Sequence, residues 1–191
     1  MKYFLISLII LTVVWAELGL WNMWQADQSY ALGKNYDSVQ QYVAAYPLLG
    51  ASVNSNPSEP TFRDELAYNQ AVIAAALFAQ KSATSSALAL AEEAIANSDQ
   101  VVNDSPNSLP FWKSRVKTFY QLGTIDAKYN LVGLEAIKRA ADLAPTDAKV
   151  WYTFGLLLQR NGQKEEAKQI FLKTLQLKPD YTEVKEALKS L

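Results

Sequence analysis

Lys113, Lys117 and Tyr120 follow one another at steps of four and three residues, and Lys149, Tyr152, Leu156 and Gln159 at steps of three, four and three, with Arg160 next in line. On helices these steps put each set on one face. Ammonium, guanidinium and phenol groups in such rows hold anions through charge-assisted hydrogen bonds and stacking. The chemistry they suit is therefore capture of an extended acidic or C-terminal peptide, or of an anionic glycan. The alternative is a solvated outer face. Covalent chemistry is poorly served. With 0 His and 0 Cys the chain lacks the usual general base, the usual transition-metal ligands and the thiol nucleophile, and serine–histidine hydrolysis is excluded. The carboxylate pairs Asp64-Glu65, Glu92-Glu93 and Glu165-Glu166 are adjacent in sequence, so on a helix they diverge by about 100°. Single scattered glycines form no phosphate-cradling loop. The expectation is no enzyme, no cofactor and no metal. Lys plus Arg is 18 against 19 for Asp plus Glu, which gives no general attraction to nucleic acid.

The elements that must position these groups are helical, and they repeat. Trp151, Phe154, Gly155, Leu158, Gly162, Ala167, Phe171, Thr174 and Pro179 stand at the spacing of a 34-residue helical hairpin, with Gly155 and Ala167 as the small residues where two helices approach. Trp112, Phe119, Gly133, Ile137, Ala140 and Pro145 repeat the order, with a turn around Gly123 to Asn130 that is longer by three residues. Tyr30, Tyr36, Val39, Val43 and Tyr46 read as a weaker copy, turning at Gly33-Lys34-Asn35. Pro60 to Gln80 and Ser85 to Val102 form an alanine-rich pair with Leu66, Ile73, Leu77, Leu90, Ala94 and Ile95 inward. Tyr181 to Leu191 reads as a cap. The pattern resembles the tetratricopeptide (TPR) repeat. That resemblance implies an all-α solenoid of three to four hairpins plus a cap, with units at about 25–48, 60–104, 109–145, 148–181 and 182–191. Leu49 to Ser58 reads as a connector loop. The resemblance further implies that the first helix of each unit lines a concave side, so the lysine and tyrosine rows face one groove and its partner is a protein or peptide.

The first 24 residues carry a different signal. Tyr3 to Ala16 is apolar apart from Ser7 and Thr12, and Leu18 to Trp24 resumes after Glu17, with Trp21 and Trp24 at interface depth. The spacing from Trp24 to Tyr30 and Tyr36 lets such a helix run straight into the first repeat, which favours a transmembrane anchor over 1–24. A signal peptide cut after Val14-Trp15-Ala16 is the alternative, and Glu17 within hydrocarbon costs about 2.5–3.5 kcal/mol on insertion scales. Lys2 before the apolar run and Asp27 after it place the N-terminus in the cytoplasm and the repeats outside. The lack of cysteine fits a domain held by helix packing.

A narrower resemblance covers about residues 1–80. Trp24-Gln25-Ala26-Asp27, Tyr30-Ala31-Leu32-Gly33, Tyr36, Tyr46-Pro47 and the phrase Pro57-Ser58-Glu59-Pro60-Thr61-Phe62-Arg63-Asp64-Glu65-Leu66 are similar to the stretch after the last membrane helix of bacterial O-antigen ligase and polymerase-like proteins. That family transfers lipid-linked glycans with several membrane helices and a periplasmic loop, none of which this chain contains. No catalytic residue carries over. The resemblance implies service to cell-envelope polysaccharide assembly, either as a separate scaffold or as a detached tail or accessory subunit of such a transferase.

Overall fold

The computed structural model describes residues 2–81 and 83–191. Among them the chain is all-α, with nine helices and no strand. The first helix, α1 (Lys2–Ser38), has 37 residues and is about 55 Å long at 1.5 Å per residue. It has two halves. Its described side chains are exposed as far as Gln25, whereas from Ala26 onward one stripe of Ala26, Gly33 and Asp37 is buried, with Tyr30 and Tyr36 half-buried beside it. A helix apolar on all sides becomes one-sided within a single turn, with no break.

The remaining helices are α2 (Tyr42–Ser55), α3 (Pro60–Gln80), α4 (Thr84–Asp104), α5 (Leu109–Leu122), α6 (Tyr129–Leu143), α7 (Ala148–Arg160), α8 (Lys164–Leu177) and α9 (Thr182–Lys189). They pair as hairpins α1–α2, α3–α4, α5–α6 and α7–α8, stack in chain order, and end with α9 on α8. Each hairpin contributes a buried cluster, so the core is a row of contacts between neighbours, as expected of a solenoid. Val184 and Ala187 of α9 close the row against Leu158, Ala167 and Phe171.

The connections between hairpins reuse one device. Trp112 Nε1 donates to the Pro106 carbonyl and Trp151 Nε1 to the Pro145 carbonyl, both at 2.9 Å and both across six residues. Each indole thereby satisfies a carbonyl of the loop that precedes its own helix. At α7 the Asp147 carboxylate accepts from the backbone N–H groups of Lys149 and Val150, an N-cap. At α3 Glu59 Oε1 accepts from Thr61 N–H at 3.0 Å, and Pro60 takes the first position, where its missing N–H costs nothing. The Pro57-to-Leu66 phrase is thus a helix start: Phe62 and Leu66 are buried, and Arg63 Nη1 donates to Asn97 Oδ1 at 3.0 Å.

Two expectations need correction. The first hairpin does not turn at Gly33-Lys34-Asn35. Helix α1 continues to Ser38, the chain turns at 39–41 with Gln40 at φ 62°, and α2 runs to Ser55, so Leu49 to Ser55 is helix and not connector. Val39 and Val43 are 59% and 76% exposed, while Ala45, Leu49 and Val53 are the core. Gly33 is the close-contact residue: a Cβ there would come 2.9 Å from Leu49 Cδ2, and one at Gly155 would overlap the ring of Phe171. In the third hairpin the turn at 123–128 is three residues longer than the turn at 161–163, as its spacing predicts, and Ile125 of that turn packs on the cluster of Phe119 and Leu122. In the second, the seam is made by alanines. Ala67, Ala71, Ala74, Ala87, Ala91 and Ala94 are buried, whereas Leu77, Leu90 and Ile95 are only half-buried, because small side chains let two 21-residue helices lie close along their length.

Candidate functional site

Helices α3, α5 and α7, the first members of their hairpins, share one face of the stack, and two adjoining cavities open on it. One, of about 470 Å³, is lined by Tyr68, Lys117, Tyr120, Gln121, Leu156 and Arg160. The other, of about 300 Å³, is lined by Lys113, Lys117, Lys149 and Thr153 over Val116, Ile137 and Val150. Val116, Lys117 and Thr153 border both, so the two form one groove.

Its cations are held differently from one another. Arg160 lies over Tyr120, its guanidinium carbon 3.9 Å from the ring centroid, a cation–π contact that fixes both groups at the rim. Lys113 Nζ is 3.9 Å from Asp147 Oδ2, so the carboxylate that caps α7 also offsets one groove lysine. Among the described residues Lys117, Lys149 and Arg160 make no ion pair of comparable distance. Near Lys117 lies an acid. Burial pushes the Asp64 carboxyl up to about 7, against the pull of Ser114, and Glu65 adds to the rise while Lys117 and Lys34 oppose it. The groove is therefore cationic at its rim, with a titrating carboxyl beside it.

Of the residues named from sequence, Lys113, Lys117, Tyr120, Lys149, Leu156 and Arg160 meet in this groove. Tyr152 and Gln159 do not. Tyr152 stacks against Tyr181 and Phe171, with centroids 5.2 and 6.1 Å away, and Gln159 Nε2 donates to Ser190 Oγ at 3.2 Å. Both lean toward the capping helix, because the exposed face of α7 is wide enough to serve its preceding and following neighbours at once. Sequence reasoning missed Tyr68 and Gln121, and it read Asp64 only as one of a diverging, solvated carboxylate pair, whereas its carboxyl is largely buried beside the groove. Asp64 and Tyr68 are one helical turn apart on α3, a spacing that matches Lys113 and Lys117, but the second hairpin gave no repeat register in which to place them.

Two other features lie outside the groove. A cavity of about 680 Å³, mostly apolar, is lined by Tyr42 and Val43 at the start of α2 and by Val72, Ile73, Ala76 and Leu77 of α3. Elsewhere a relay of side chains ties three helices together: Gln70 Nε2 donates to Glu93 Oε2, and Asn97 Nδ2 to Gln70 Oε1, each at 2.8 Å, with Tyr46 reaching Glu93 at 3.4 Å.

Comparison with known proteins agrees with this architecture. Residues 136–169, from α6 into α8, match the tetratricopeptide repeat family. Among solved structures, a thermophilic TPR protein of Thermus thermophilus superposes with a TM-score of 0.60 at 22% identity, over 85% of this chain and 79% of that one. MamA protein does so with a TM-score of 0.60 at 15% identity, over 86% and 79%. MamA of Desulfovibrio magneticus gives 0.58 at 17%, over 82% and 77%. At these identities the likeness is one of fold. No curated protein sequence matches the chain. The fold is a TPR-like α-solenoid.

Proposed function

We propose that this TPR-fold chain is a membrane-anchored scaffold that holds an extended acidic peptide in the groove between α3, α5 and α7, outside the cytoplasm. The observation that carries the reading is the convergence of Lys113, Lys117, Lys149 and Arg160 with Tyr68 and Tyr120 on two adjoining cavities. A strand-like peptide laid there meets ammonium groups for its carboxylates and aromatic faces for its backbone and side chains. Anchoring is supported by the apolar part of α1, which is long enough to cross a bilayer and is left uncovered by the rest of the chain. A helix with that surface lacks a place in this protein's own core, and lipid covers it without cost to the repeats.

The narrower setting, service to cell-envelope polysaccharide assembly, rests on the phrase from Pro57 to Leu66, and so does the second reading, an accessory subunit of a glycan transferase. Two measurements test the proposal. Full-length protein in membranes should resist carbonate extraction, and a mature N-terminus at Glu17 would overturn the anchor. Detergent-solubilised protein should bind fluorescent acidic peptides in preference to basic ones. The double substitution Lys113→Glu with Lys117→Glu should abolish that binding and leave the helical signal intact, since exposed charges contribute little to stability. Undiminished binding would return these lysines to solvated surface.

A further inference from the structure

Two contacts between α1 and α3 have the same step. Tyr30 stacks on Phe62 with centroids 4.8 Å apart, and Asn69 Nδ2 donates to Asp37 Oδ1 at 2.7 Å, 32 residues apart in both cases. The two helices therefore run parallel and in register over this stretch, and depth along α1 can be read onto α3. Pro60, the first residue of α3, falls level with Gln28, about 6 Å beyond Trp24 along the axis, and Ser58 precedes it in the loop, whereas the end of α3 near Gln80 falls about 36 Å beyond Trp24, at 1.5 Å per residue. No linker separates the apolar half of α1 from its packed half, and Ala26, Gly33 and Asp37 are held in the core.

We infer that the lipid headgroup surface is a fixed neighbour of this domain: α1 mounts the first two hairpins rigidly, with the Asn56–Glu59 loop at the headgroups and the α3–α4 tip directed away. This rests on the anchor reading above. The inference adds an orientation that a flexible tether would not give. It also sets the groove's aspect. The helices lining it begin at the loops between hairpins, so in the membrane-near hairpins the groove runs from a lipid-facing end to a distal end.

The chain has 0 Cys, so single thiols can be introduced without background. Ser58→Cys and Gln80→Cys sit at exposed positions on the two ends. Each full-length variant, labelled with a small fluorophore, is reconstituted into phosphatidylcholine vesicles that carry a nitroxide on a fraction of the headgroups. The label at 58 should be strongly quenched and the label at 80 should not. Inserting Gly-Ser-Gly-Ser between Gln25 and Ala26 should erase the contrast while the protein stays in the vesicle fraction. Equal quenching of the two uninterrupted variants, or a contrast that survives the insertion, overturns the rigid mount even if the protein is vesicle-bound. Failure to enter vesicles at all overturns the anchor reading and the mount together.

Discussion

Gly155 faces the ring of Phe171 so closely that a Cβ on residue 155 would overlap Cε1, and Gly33 stands in the same relation to Leu49 at the other end of the solenoid. Sixteen residues separate the partners in both pairs. The contact is where the two helices of a hairpin come nearest, and it marks the repeat register independently of any aromatic signature.

Gly155→Ala should therefore destabilise the fold by about 1–3 kcal/mol, since the aromatic ring must shift in a filled core. At Gly133 a Cβ would meet Phe119 Cβ at an ordinary 3.6 Å, so Gly133→Ala should be neutral or gain up to about 1 kcal/mol of helix propensity. Denaturant melts of the two variants check this, and equal losses would contradict the register.

Asp37 supplies a pH dependence. Burial pushes its carboxyl up from 3.8 to about 6, against the bond from Asn69, with Glu65 adding to the rise. Asp37 Oδ2 and Asn69 Oδ1 are both buried without a partner, so a proton on the carboxyl adds the donor that the pair lacks. Because the folded state holds the proton more tightly, this contribution is full below about pH 4 and is lost as pH rises through 6. Asp37→Asn should stabilise the protein at pH 8 by on the order of 1–2 kcal/mol and flatten the slope of its melting temperature between about pH 4 and 7.

Asp64 couples pH to the groove. With its carboxyl near 7, lowering the pH from about 8 to about 6 removes a negative charge near Lys117, so an acidic peptide should bind a few-fold more tightly. Asp64→Asn should bind at the tighter level throughout that range. Titrating peptide affinity against pH for both proteins decides the matter, and binding should also weaken with salt because the rim is exposed.

Trp151→Phe should cost about 1 kcal/mol by leaving the Pro145 carbonyl without its indole donor, and Trp112→Phe should cost less because the equivalent bond to Pro106 is solvent-exposed. Thermal unfolding of the two single variants measures the difference.

Sequence periodicity was enough for the all-α class, the last two hairpins and the cap. Trp112, Trp151, Gly155, Ala167, Pro145 and Pro179 combine residue types with a spacing that few other arrangements share, and an apolar run such as Tyr3 to Trp24 is legible without any partner. The first hairpin was not legible in the same way. Gly33-Lys34-Asn35 has the composition of a turn, yet α1 stays helical to Ser38 with Leu49 packed close on Gly33, since local propensity is weak beside tertiary contact. The alanine seam between α3 and α4 has no aromatic marker to set its register, so Asp64 and Tyr68 could not be assigned to the groove. The division of the α7 face, with Leu156 and Arg160 turned to α5 while Tyr152 and Gln159 turn to α9, likewise came from structure. Residues a turn apart share a side of their helix, but which neighbour each one meets is fixed by where the adjoining helices lie.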